Sequence, residues 1–99
     1  MVRPNTYNLG SSPEILLAFT DTEDDPFIPV QVRLSIEEPT GTVITVSGGD
    51  MDTVASGTLS YVYNPPVKGW YSYEGWGRDT SGREIAKTSG FEVVDTVIL

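Results

Sequence analysis

Seven consecutive residues, Val30-Gln31-Val32-Arg33-Leu34-Ser35-Ile36, alternate strictly between apolar and polar side chains. A period of two is that of a β-strand, in which successive side chains point to opposite faces. Val30, Val32, Leu34 and Ile36 are therefore expected on one buried face. The next residues, Glu37-Glu38-Pro39-Thr40-Gly41, have turn composition: Pro presets one φ and Gly permits a positive one. Thr42-Val43-Ile44-Thr45-Val46 then returns as a β-branched strand, which predicts a hairpin.

The same period organises the rest of the chain. Glu14–Thr20 follows Pro13 and ends at a loop within seven residues, a length that suits a strand better than a lone helix. The loop Asp21–Pro29 holds four carboxylates and two prolines and breaks regular structure. Residues 47–57 read as a second long connection. Thr58–Asn64 is a strand closed by Pro65-Pro66, and Trp70–Trp76 is an aromatic strand bounded by Gly69 and Gly75. Asp79-Thr80-Ser81-Gly82 is a turn, and Glu84–Thr88 and Phe91–Val94 are the last two strands. About seven short strands separated by turn signals predict an all-β antiparallel β-sandwich. Its core is expected to draw on Leu16, Val30, Val32, Leu34, Ile36, Val43, Leu59, Tyr61, Tyr71, Tyr73 and Phe91. Residues 1–13 read as an extended arm outside the sandwich, residues 14–94 as the sandwich and residues 95–99 as a tail.

Composition narrows the chemistry. With no histidine and no cysteine, the chain lacks the commonest general base, the Ser/His and Cys/His nucleophile pairings, and thiolate or imidazole metal ligands. Carboxylate-only glycoside hydrolysis needs two carboxyls held across a cleft, and no pair is singled out here. The expectation is a non-enzymatic protein without a cofactor. Fourteen acidic against six basic residues give a net charge of −8, which repels phosphate backbones and anionic lipid. Nucleic acid and membrane are thus not expected as partners. No apolar run approaches the ~20 residues needed to span a bilayer, and Met1–Asn5 lacks the apolar stretch of a signal peptide, so synthesis in the cytoplasm is expected.

Four groups of residues could carry binding. Trp70, Tyr71, Tyr73 and Trp76, with Tyr61 and Tyr63 upstream, read either as a stacking platform for sugar rings or as core filling. Asp21, Glu23, Asp24 and Asp25, with Asp50 and Asp52 in another loop, read either as calcium ligands or as solvated turns. Arg78 and Arg83 flank the 79–82 turn and form a small cationic end for an acidic partner, or a solvated hairpin tip. Finally Arg3, Pro4 and Tyr7 in the arm, and Val97, Ile98 and Leu99 in the tail, are candidates for pairing with a neighbouring subunit. The bland alternative for the tail is that it extends the last strand.

The run Gly57-Thr58-Leu59-Ser60-Tyr61, then Gly69–Gly77, then Gly90-Phe91-Glu92-Val93 resembles a group of small proteins encoded among the structural genes of tailed bacteriophages. Strand Val30–Ile36 followed by Pro39-Thr40-Gly41-Thr42-Val43 is similar to the "strand, Asp-Pro-Asp-Gly, strand" unit of the same group. The resemblance covers roughly residues 14–94; the acidic loop Asp21–Pro29 and the apolar C-terminus depart from it. It implies an immunoglobulin-like sandwich, a place in the head, neck or tail of the virion, and other virion proteins or further copies as partners. It implies no catalytic residue. The alternative is a carbohydrate-binding or cell-surface adhesion module.

Overall fold

In the computed structural model, which describes residues 6–95, the alternating run becomes β3 (Gln31–Glu37), a strand with neighbours on both sides. One neighbour is β4 (Val43–Ser47), reached through the hairpin, and the other is β7 (Gly69–Arg78). β7 pairs along its whole length with β8 (Glu84–Val94), and β1 (Thr6–Asn8) adds to β8 in parallel. This gives a five-stranded sheet of order β1-β8-β7-β3-β4. A second sheet, of order β2-β6-β5, consists of β2 (Glu14–Ala18), β5 (Asp52–Ala55) and β6 (Thr58–Val62). The expected all-β sandwich is present, with eight strands among the described residues where about seven were expected.

The connectivity is that of immunoglobulin domains. In chain order, strands two, five and six make one sheet, while three, seven and eight make the other, extended by strand four at one edge and strand one at the other. Tyr71 strengthens the assignment. It lies near the start of β7, is fully buried, and its hydroxyl donates to the carbonyl of Val67 at 2.6 Å while accepting from the Val67 N–H at 3.3 Å. A tyrosine at this corner, bonded back to backbone a few residues upstream, is characteristic of immunoglobulin-like sandwiches.

Between the sheets the packing is of two kinds. At one end the Tyr71 ring stacks on Phe91 with centroids 5.1 Å apart, and Tyr63 and Tyr7 meet this pair edge-on. At the other end β7 presents only Gly75 and Gly77, and Leu17, Phe19 and Pro29 occupy the space. A Cβ on Gly75 would lie 2.4 Å from Leu17 Cδ2; one on Gly77 would lie 2.7 Å from Pro29 and 2.8 Å from Phe19. Gly75 thus lies within β7 and does not bound it.

Several expectations need correction. Leu16, Val30 and Val43, expected in the core, are 52%, 62% and 56% exposed. In β2 both parities are apolar, and pairing with β6 turns Ile15, Leu17 and Phe19 inward, so Leu16 faces out. Val30 sits at a bend just before β3 begins. In β4 the turn sets the register Leu34↔Val46 and Ile36↔Ile44; directly opposed residues share a face, so Val46 and Ile44 turn inward and Val43 pairs with exposed Glu37. Leu34, Ile36, Leu59, Tyr71 and Phe91 are buried as expected, and Val32, Tyr61 and Tyr73 pack on the core half-buried.

The remaining differences concern the elements. The stretch read as a 47–57 connection contains a short 3-10 turn, Gly48–Asp50, and then β5. The two final strands are one, because β7 is long enough to pair with both. Residues 6–13, read as part of an arm, belong to the sandwich. β1 pairs with β8, Leu9 N–H donates to Val94 at 2.8 Å, and the Pro13 carbonyl accepts from Tyr63 N–H at 3.0 Å.

Candidate functional site

Strand alternation divides β7 into two sets. Tyr71, Tyr73, Gly75 and Gly77 face the core, so Trp70, Ser72, Glu74, Trp76 and Arg78 face out on the open side of the five-stranded sheet. Register then places their neighbours. Ser72 lies between Glu37 of β3 and Gly90 of β8, Glu74 between Ser35 and Thr88, and Trp76 between Arg33 and Ala86. Glu37, Trp70, Glu74, Arg78, Ala86 and Thr88 are all exposed on this face.

Trp70 stands 59% exposed, yet it is held in place. Its indole N–H donates to Ser72 Oγ at 3.1 Å, and its six-membered ring rests on Gly90, where a Cβ would come within 2.4 Å of Cζ2. Glycine at 90 therefore lets the indole lie against the sheet. Beside it is a shallow groove of about 600 Å³ lined by Ser35, Glu37, Val43, Ser72, Glu74 and Thr88. An exposed aromatic surface next to hydroxyls and carboxylates can take a flat or apolar group together with hydrogen-bond donors or a cation. Trp76 is different: Arg33 lies 4.6 Å above its ring and Glu84 accepts its N–H at 3.0 Å, so its own protein already occupies it. A second depression of about 560 Å³ lies near this pair, bordered by Pro29, Val32 and Gly48.

The other candidates fall elsewhere. Tyr7 is half-buried and packs edge-on against Phe91 at 5.7 Å, so it contributes to the core. Arg78 and Arg83 are exposed at the β7–β8 turn, roughly 26 Å along the strand from Trp70. The turn is organised by Asp79, whose carboxylate accepts from Ser81 Oγ at 2.7 Å, Arg83 N–H at 2.9 Å and Ser81 N–H at 3.0 Å. The Ser81 hydroxyl and then the Arg83 N–H hold the Asp79 carboxyl below its ordinary range. Arg3, Pro4, Val97, Ile98 and Leu99 lie outside the described residues.

In the acidic loop, the Asp21 carboxylate accepts from the N–H groups of Glu23 and Asp25 at 2.8 and 3.0 Å and so shapes a turn. Among the described residues no three acidic side chains converge to hold a metal ion. The buried phenol of Tyr63 donates to Glu38; burial first and that carboxylate second push it well above its ordinary range. This contact ties the residue after β6 to the β3–β4 turn.

The sequence singled out Trp70 but not Glu37, Ser35, Thr88 or Gly90, which register sets beside Ser72 and Glu74 and so along one groove with Trp70. The available signal was the outward set Trp70, Ser72, Glu74 and Trp76, legible once Tyr71 is assigned to the core. No protein-family model matches the chain, and neither a curated protein nor a solved structure matches it.

Proposed function

We propose that this chain is a non-enzymatic structural or assembly protein of a tailed-phage virion, acting through protein–protein contacts on the open face of its larger sheet. The observation that carries the binding part is Trp70, exposed yet braced against Gly90 at the side of a groove. Tryptophan and arginine are the commonest anchors of protein interfaces, and this face holds Trp70 at one end and the Arg33–Trp76 pair at the other. The resemblance of the second half of the chain to phage structural proteins supports the location in the particle. Other virion proteins or further copies of the chain are the expected partners.

Mass spectrometry of purified virions tests the location; absence of the protein from them overturns it. Trp70→Ala tests the face. The variant is expected to fold, since the indole is largely in solvent, and to be lost from particles that retain the wild-type protein.

The make-up of the groove also favours a second reading, a carbohydrate-binding or adhesion module. One free indole face beside Ser35, Ser72, Glu37 and Glu74 suits a sugar ring with its hydroxyls. Binding to a glycan array that disappears in Trp70→Ala, with the protein absent from virions, would select this reading.

A further inference from the structure

The described strands leave several sheet edges, and all but one carry a feature that discourages strand addition. β1 has three residues and runs parallel to β8. Beyond β1, β8 carries Glu84 and Lys87. β2 has Glu14 at one end, and at the other the Lys87 ammonium donates to the edge carbonyl of Ala18 at 2.9 Å. β5 has four residues, begins with Asp52 and breaks register between Thr53 and Ala55. Charges, bulges and brevity are the usual devices that protect an edge. β4, Val43-Ile44-Thr45-Val46-Ser47, has no charge, bulge or proline, and three of its five residues are strongly β-forming Val or Ile.

The hydrogen-bond phase of β4 can be read from its turn. Glu38 N–H donates to the Thr42 carbonyl at 2.8 Å, so the pairs Ile36↔Ile44 and Leu34↔Val46, two and four residues on, also exchange bonds. The N–H and C=O groups of Val43, Thr45 and Ser47 therefore point away from β3, along the free edge. Their side chains are all exposed on the open face of the sheet.

We propose that β4 is a self-association edge, and that its occupant is β4 of a second copy, antiparallel about a two-fold axis through Thr45. In that register Thr45 faces its own counterpart, and Val43 faces Ser47 of the other copy on both sides of the axis. Each of these pairs exchanges both backbone bonds. Ile44, half-buried in the monomer, comes opposite Val46 of the other copy on the inner face, which lengthens the core across the seam. Such a contact is isologous and closes on itself.

Charge opposes this seam less than a self-contact through the carboxylate-bearing strands. Two chains of net charge −8 repel, and β4 is an uncharged strand through which they can meet. The association is therefore strengthened by salt, which screens the surrounding carboxylates. This inference concerns the edge, which shares only Val43 with the Trp70 groove, and it holds or fails whatever particle the protein belongs to.

Sedimentation velocity at rising concentration and at low and high NaCl is the test. The wild type is expected to form a dimer that salt favours. Thr45→Pro removes only an outward N–H, which the fold does not use, and is expected to sediment as a folded monomer. Thr45→Lys sets like charges against each other on the axis and is expected to do the same. Because the chain has no cysteine, Thr45→Cys offers a single thiol that meets its counterpart within disulfide range, about 5.5 Å between Cα atoms. It is expected to cross-link under mild oxidation, whereas Ser81→Cys in the β7–β8 turn is not. A wild type that stays monomeric at every concentration and salt overturns the proposal. So does a dimer that persists in Thr45→Lys, or one that Trp70→Ala abolishes and Thr45→Pro does not.

Discussion

A phenol buried between two sheets must find a partner for its hydroxyl, and Tyr71 finds one in the Val67 carbonyl. Tyr71→Phe keeps the ring stacked on Phe91 but leaves that carbonyl without its donor. The expected loss is about 1–3 kcal/mol of unfolding free energy, read from urea denaturation. Tyr63 makes the corresponding bond to a charged group, Glu38. Its phenol titrates above the ordinary value of 10.0 in the folded protein, so the folded state holds that proton more tightly than the unfolded chain. The resulting stabilisation is complete below about pH 10 and is lost as pH rises from there through the folded value. Urea midpoints measured from neutral to strongly alkaline pH are expected to fall above that point, and to fall less steeply in Tyr63→Phe. Tyr71, also raised by burial, supplies the decline that remains. At this scale the sequence was informative about Tyr71, since an aromatic alternating with serine on a strand points to the core. It was silent on Glu38, because a turn glutamate carries no local sign of the phenol that will reach it.

The elements differ in how far their own residues decide their orientation. β3 has polar residues on one parity, so Leu34 and Ile36 could only face inward. β2 is apolar on both parities, and only pairing with β6 selects Ile15, Leu17 and Phe19 over Leu16. β4 posed the same choice, settled by the length of the turn. β7 shows the reverse relation, in which glycines inside a strand mark close approach and not its end. Pro29 and Phe19 are rigid rings, and both come within 2.8 Å of where a Cβ on Gly77 would lie. Gly77→Ala is therefore expected to cost about 1–3 kcal/mol, as overpacked cores do, and more than Gly75→Ala, where the nearest group is a leucine methyl. Denaturant midpoints of the two variants compare them directly. The opposite order would mean that the sheets separate more easily at the Pro29 end than the contacts imply.

For the whole molecule, a charge of −8 on 99 residues makes self-repulsion a term against the folded state. The exposed Lys68–Asp95 pair, 2.9 Å apart, offsets little of it. Raising NaCl from low to physiological concentration is expected to raise the melting temperature, most cleanly in Thr45→Pro, where dimerisation is not a second cause. A fall with added salt would mean that ion pairs outweigh repulsion. Length, turn chemistry and period two were enough to determine an all-β sandwich, because these signals act over a few residues and each strand carries its own. Charge and the absence of histidine and cysteine likewise bounded the chemistry without coordinates. Only the tertiary structure decided that β1 pairs in parallel with β8, joining opposite ends of the chain, and that β5 exists at all. It alone brought Glu37 and Thr88 from neighbouring strands into one groove with Trp70 and, among the described strands, left β4 as the unguarded edge. Both depend on which strands lie side by side and in what register, and that follows from how the whole core packs, not from any single strand.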